Sequence, residues 1–232
     1  PKNVEQIERE AFLKCEALHT INVTKTTTSI SPEAFKYCSN LTAINVDKDN
    51  EVYSSIDGYL LSKSKKTLMI FPPGKASDKF TPLPPSITTI GDYAFYDCKK
   101  LENVTIPNKV DSIGIRAFGL CENLNTITFL CDQMINPKKI NQAQNEQAFD
   151  ADKGGIKKMG KIKINVRKDK LSAYQSNPFY KKFASISPSL ESGTEEYIFV
   201  SEKAVDLLST TRTDHTFILP TKIQHNGKDY EV

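Results

Sequence analysis

Five cysteines and three histidines are the residues with which this 232-residue chain could do nucleophilic or metal chemistry. A cysteine nucleophile needs a histidine that draws off its proton, and a zinc site needs ligands paired at short spacing. His19, His215 and His225 have no metal-ligand spacing among them. Cys15, Cys38, Cys98 and Cys121 share one position of a repeated pattern, and Cys131 follows in the inward phase of Ile127 and Phe129. No glycine-rich phosphate loop follows a strand, and no G-x-S-x-G occurs. Asp47, Asp49 and Glu51 look like the start of a calcium loop. An EF-hand loop from Asp47 would need Gly at 52 and Glu at 58, where this chain has Val52 and Gly58. The sequence therefore predicts a protein that is not an enzyme, with no catalytic residue, no metal site and no cofactor. The cysteines are expected to be reduced thiols in an apolar column, because side chains in a parallel ladder point alongside each other.

What positions these cysteines is a repeat. IGDYAFYDCKKLENVTIPNKVDS begins at Ile90, and IGIRAFGLCENLNTITF begins 23 residues later at Ile113. IEREAFLKCEALHTINV from Ile7 and ISPEAFKYCSNLTAINV from Ile30 keep the same offset. Apolar positions recur while those between them drift, as in a stacked array whose inward column alone is constrained. Within a copy, Leu101-x-x-Val104-x-Ile106 ends in strand alternation, Pro107 closes the strand, and Val110 and Ile113 return along the opposite side. Ala94 and Phe95 are expected on a short helical turn, with Phe95 plugging the interior. Glu8 and Ser31 stand where later copies have Gly91 and Gly114, so distortion is expected in those two turns.

The period breaks at about 47–89. Asp57-Gly58 reads as a hairpin turn, with Tyr59–Leu61 and Leu68–Phe71 as paired strands joined by the basic turn Ser62–Thr67. Ala148-Phe149 is a fifth Ala-Phe pair after the polar insertion Asn136–Gln147. Ile162, Ile164 and Val166 mark another strand, and a helix from about Lys168 stops before Pro178. Residues 187–196 read as a linker, and Tyr197–Val200, Ala204–Leu208 and Thr216–Leu219 as strands. Pro1, Val4 and Ile7 match Pro107, Val110 and Ile113, so the chain is expected to be a piece of a longer protein.

Two surfaces could bind. Asn22, Asn45, Thr105, Thr128 and Asn165 form one outward column of the predicted sheet, flanked by Thr20, Ala43, Asn103, Thr126 and Lys163. Small polar groups on a flat sheet suit broad contact, and Asn and Thr are also simply tolerated on exposed strands. The second surface is basic. From Lys138 to Lys182 there are twelve Lys/Arg and four Asp/Glu, within a chain of net charge +3. Lys161, Lys163, Arg167, Lys168 and Lys170 are its candidate patch for an acidic glycan or protein, against the alternative of a solvated surface. Nucleic acid is not expected, because no stacking aromatics interleave with the lysines. No apolar run reaches the length of a membrane span.

The repeated I-G-x-x-A-F-x-x-C-x-x-L-x-x-I-x-I-P-x-x-V-x-x-I resembles the leucine-rich repeats of BspA-like bacterial surface antigens. The resemblance covers most of residues 1–186. It implies a right-handed α/β leucine-rich-repeat solenoid with parallel strands, short helical turns, a β-hairpin insertion and a C-terminal cap at about 160–186. Residues 187–232 then resemble a linker and the lead-in to a second repeat block. It further implies a cell-surface or secreted module that binds a protein or glycan on host or neighbouring cells. The alternative is a structural spacer within a larger exported protein.

Overall fold

The computed structural model describes residues 3–75, 83–135, 147–149, 159–192, 195–199, 205–210, 222–225 and 228–231. Strands β1 (Gln6–Ile7), β2 (Thr20–Val23), β3 (Ser29–Ile30) and β4 (Ala43–Val46) belong to the first two copies. The hairpin insertion supplies β5 (Tyr53–Ile56), β6 (Tyr59–Ser62) and β7 (Thr67–Ile70). β8 (Thr89–Ile90), β9 (Asn103–Ile106), β10 (Ser112–Ile113), β11 (Thr126–Phe129), β12 (Lys163–Val166) and β13 (Ser185–Pro188) complete the stack. The repeat strands pair in parallel, Asn22 with Asn45 in β2 and β4, and Thr105 with Thr128 and Asn165 across β9, β11 and β12. A second set of short strands runs along the opposite side, β1 on β3 and β7 on β8 on β10. The chain is a parallel-strand leucine-rich-repeat solenoid with a hairpin insertion.

The interior is a column of rings. Phe12 stacks on Phe35 at 5.3 Å, and Phe71, Phe95, Phe118 and Phe149 follow at centroid separations of 5.0, 5.0 and 5.5 Å. Four of these six rings are fixed by the backbone beneath them. The amides of Phe12, Phe71, Phe95 and Phe118 donate to the carbonyls of Ala34, Ala94, Ala117 and Ala148 in the following copy. Phe71 thus takes the phenylalanine position of the insertion copy and lies just past the end of β7, where the sequence had placed it in the strand.

The helical turn expected at Ala94 and Phe95 is a chain of β-turns instead. Tyr93 and Asp97 lie in the left-handed region, as do Glu10 and Lys14, Tyr37, and Arg116 and Leu120 in the other copies. These residues precede the Ala and the Cys, and a left-handed residue ends any helix at that point. The Phe amide is thereby free to reach the next copy rather than its own previous turn. Non-glycine residues in this region cost about 1 kcal/mol or more each, so the stacking they permit must offset that cost. Glu8 keeps the same turn as Gly91 and Gly114. The Ser31 copy departs from the others, since Glu33 lacks the positive φ of Glu10, Tyr93 and Arg116. Gly114 is required by contact, because a Cβ there would fall 2.5 Å from the Asp92 amide nitrogen.

In the insertion, Asp57 and Gly58 both have positive φ, 50° and 79°, the geometry of a two-residue hairpin turn between β5 and β6. A Cβ at Gly58 would meet Ala43 at 2.9 Å, and the Gly58 carbonyl accepts from the Ile44 amide. The turn therefore lies against β4, next to the first two copies. Asn50 makes the other joint. Fully buried, its amide donates to the carbonyls of Thr24 and Thr27, and its Oδ1 accepts from the amides of Val52 and Tyr53.

At the far end a 3-10 turn at Lys168–Lys170 leads into α1 (Leu171–Ser176), capped at Asn177 before Pro178. Tyr174, Phe179, Tyr180 and Phe183 are buried there, with Phe183 edge-on to Phe149 and the Tyr180 hydroxyl donating to the Ile135 carbonyl at 2.7 Å. This closes the apolar column as a cap must. The stretch 187–196 is not an unstructured linker where it is described. Ser187 and Pro188 extend the parallel ladder beside Asn165 and Val166, and β14 (Leu190–Ser192) pairs antiparallel with β15 (Glu195–Phe199). β16 (Val205–Thr210) pairs with β15, and β17 (Lys222–His225) with β18 (Lys228–Glu231). The strand expected at Thr216–Leu219, and the insertion at 136–146, lie outside the described residues.

Phe95 has a ring on both sides, whereas Phe12 has one described ring partner. Phe95→Ala should lower unfolding free energy by about 3–5 kcal/mol. Phe12→Ala should cost clearly less. Urea denaturation of both variants checks the order, and equal losses would show that the column does not carry the stability.

Candidate functional site

The outward column predicted from the strands exists in register, but the insertion divides it and its two parts differ. Asn22 and Asn45 are exposed neighbours, with the Asn45 amide donating to the Asn22 Oδ1 at 3.2 Å. Thr105 and Thr128 are buried, at 6% and 2% exposure, and Asn165 is half-buried. The two threonines therefore do not form an open surface as expected. Strand alternation tells which way a side chain leaves the ladder, but not what else covers that face. Of the flanking column, Thr20, Asn103 and Lys163 are exposed.

The basic patch is also smaller than its sequence count. Arg167 leaves the run of outward lysines and forms ion pairs with Asp132 and Asp169, each at 3.2 Å. Lys170 pairs with Asp169 at 3.3 Å. Burial works against the Asp169 charge, but Arg167 and Lys170 outweigh it and hold its pKa below the usual carboxylate range. Lys161, Lys163 and Lys168 remain exposed. The other lysines of this run between 138 and 158 lie outside the described residues.

The cysteines serve the column. The thiol of Cys38 donates to the Phe12 carbonyl at 3.0 Å, that of Cys121 to Phe95 at 2.9 Å, and that of Cys98 to Phe71 at 3.8 Å. Each takes up a carbonyl of the copy before it. Burial pushes the Cys38 thiol up to about 11 and the Cys131 thiol up to about 12, which suppresses the thiolate that any nucleophilic role would need. Cys15 is the exception to the buried column, being exposed on the first copy, where no earlier described turn covers it. His19 is exposed, and its ring Nδ1 bonds the carbonyl of Ala17 two residues away. Among the described residues no group of three His, Cys, Asp or Glu is placed to hold a metal.

Sequence reasoning missed a polar cluster on the turn side. Lys36 pairs with Glu33 and lies 5.6 Å and 5.5 Å from the ring centroids of Tyr93 and Tyr96. Burial disfavours the Glu33 charge, but Lys36, Arg9 and the Tyr93 hydroxyl together keep its pKa low. Asp97, beside this cluster, is buried, and its Oδ1 accepts no hydrogen bond but faces the Lys99 ammonium in an ion pair at 3.7 Å. Its burial raises its pKa against the pull of Lys99 and of the Tyr37 amide, with Glu122 adding to the rise. These contacts join equivalent positions of the Ile30 and Ile90 copies, 60 residues apart, but the residue types there are not repeated and the pattern does not tell that the two copies meet across the insertion.

Two results follow. A thiol reagent should label Cys15 in the native protein at least tenfold faster than the buried cysteines, and equal labelling would contradict the burial. Asp97 binds a proton more readily folded than unfolded, so its contribution favours folding below its unfolded pKa and fades as pH rises through the folded value. Asp97→Asn should therefore raise the melting temperature at pH 7, with the gain shrinking toward pH 4. A loss at pH 7 would mean that the Lys99 and Tyr37 contacts outweigh the burial.

A family model described as the BspA type leucine rich repeat region, in six copies, matches residues 1–78 and 77–181. A leucine rich cell surface protein of Faecalibacterium prausnitzii is 23% identical over 82% of this chain and 53% of its own, with a TM-score of 0.49. A leucine-rich repeat protein of Eubacterium ventriosum is 24% identical over 50% of this chain and 37% of its own, with a TM-score of 0.41. The pneumococcal vaccine antigen PcpA is 15% identical over 75% and 56%, with a TM-score of 0.36. The chain thus spans between 37% and 56% of the length of these structures. No curated protein matches. With the family model covering most of residues 1–181, and its Ala-Phe and Cys positions lying on the stacked column, the chain belongs to the BspA-type leucine-rich-repeat family.

Proposed function

We propose that this chain is a non-catalytic interaction module of a cell-surface or secreted protein. Its partner is a macromolecule, a protein or glycan on host or neighbouring cells. Surface placement rests on the family resemblance. The binding role rests on one observation, the exposed asparagine pair of Asn22 and Asn45 on adjacent strands. Two amides one strand spacing apart offer donors and acceptors in a row, with no apolar pocket between them. A broad polar surface of this kind favours extended contact over capture of a small molecule. Thr20 enlarges the same surface.

The test is binding of the intact chain to an array of extracellular-matrix proteins and glycans. Asn22→Arg with Asn45→Arg should reduce retention on any bound probe at least tenfold while leaving the melting temperature unchanged. Unchanged retention would remove this face as the site. A chain retained by no probe would favour the spacer role.

A further inference from the structure

Among the described residues the apolar core is not one body. Two clusters of buried residues are separate. One holds Ile7, Ile30, Phe35, Leu41 and Ile44, and the other runs from Ile90 through Phe118 and Ile127 to the cap. The insertion lies between them and contributes to both. Leu60 and Ile70 join the first cluster, while Tyr59, Leu61, Leu68 and Phe71 join the second. Strand β6 is a partition, buried on both faces at Tyr59, Leu60 and Leu61.

On the turn side this partition is thin. The insertion copy has no Ala-Phe-x-x-Cys run, and after Phe71 the chain passes through Pro72, Pro73 and Gly74. Gly74 is pressed against the second copy, where its amide donates to the Leu41 carbonyl and a Cβ would fall 2.6 Å from the Asn40 carbonyl carbon. The turns of the second copy and of the Ile90 copy consequently meet directly. Lys36 reaches over the rings of Tyr93 and Tyr96, while the Tyr93 hydroxyl and the Tyr37 amide favour the charged forms of Glu33 and Asp97 across the joint. Elsewhere copies are joined by rungs of the same backbone bonds and stacked rings. Among the described residues, the contacts that join them here are made chiefly by charged and aromatic side chains.

We propose that this joint is a conformational latch. The first two copies and the copies from Ile90 onward are separately packed units that hinge at the β5–β6–β7 sheet, and the Lys36 contacts hold their turn sides together. Small movement at such a boundary is cheap, because it leaves each apolar cluster intact, whereas parting two Phe-stacked copies would expose rings. The Asn22–Asn45 face rides on the first unit, and Lys161, Lys163 and Lys168 lie at the end of the second. Opening the latch therefore changes the angle between the two candidate surfaces.

Native-state amide hydrogen exchange on the full chain tests this. Lys36→Met keeps the apolar stem over the tyrosines and removes the charge. It should speed exchange of the Gly74 amide, whose bond to the Leu41 carbonyl crosses the boundary, at least tenfold, while amides of Ile44 in the first unit and Phe118 and Ile127 in the second keep their protection. Tyr93→Phe, which deletes only the hydroxyl that favours the Glu33 charge, should give a weaker version of the same local pattern and decides the matter if Lys36→Met does not fold. Acceleration spread evenly over both units would show one cooperative core and overturn the proposal. An unchanged Gly74 amide would overturn it as well.

Discussion

The structure depends on one backbone hydrogen bond repeated along the stack, from the amide of a phenylalanine to the carbonyl of an alanine in the next copy. That bond sets ring on ring at about 5 Å, close to the spacing between strands of a sheet. It dictates the small residue at Ala34, Ala94 and Ala117, because the carbonyl must come close to the next ring. It also dictates the left-handed residues ahead of the Ala and the Cys, since a helix would direct the Phe amide into its own turn. The cysteine thiol then takes up the carbonyl of the same phenylalanine. A motif that reads as possible chemistry in the sequence is, in the fold, the hydrogen-bonding of one rung.

What could be read from the sequence follows the same division. Ala34, Phe35, Cys38 and Leu41 recur because each copy meets an identical neighbour, and the register of Asn22 with Asn45 and of Thr105 with Thr128 and Asn165 came out of that periodicity. The Asp57-Gly58 turn was legible because two consecutive positive φ angles demand such residues. The closing helix was legible from Pro178 and its apolar spacing. What the sequence did not show are contacts without a period. Phe71 fills a ring position from a copy whose spacing is broken. Asn50 is a polar residue whose four partners lie in two different loops. Arg167 turns aside to an aspartate 35 positions earlier. The burial of Thr105 and Thr128 depends on what lies over the sheet face, which alternation within a strand does not report.

The insertion changes how the solenoid must be viewed. An unbroken array of equal copies would distribute its stability rung by rung. Here β6 divides the apolar interior, and two polar devices make up for the missing rung, Asn50 on one side and the Lys36 cluster on the other. Neither stabilises by area alone. A buried amide with all its partners and a lysine held between a carboxylate and two rings each specify one arrangement of the neighbouring copies. On the strand face of the first copies, Asn22 and Asn45 bond each other across the two strands and remain exposed. Asn22 and Asn45 contribute nothing to either core, which is what an interaction surface on a repeat scaffold requires.

The most direct test of the central claim is a double-mutant cycle on the ring column, with Phe95→Leu, Phe118→Leu and the pair measured by chemical denaturation. Stacked rings in register predict a coupling of about 0.5–1.5 kcal/mol between the two sites. The same cycle between Phe12 and Phe118, which do not touch, should show none. Additive losses at Phe95 and Phe118 would contradict the account, because the rings would then be filling space independently rather than stacking as one column.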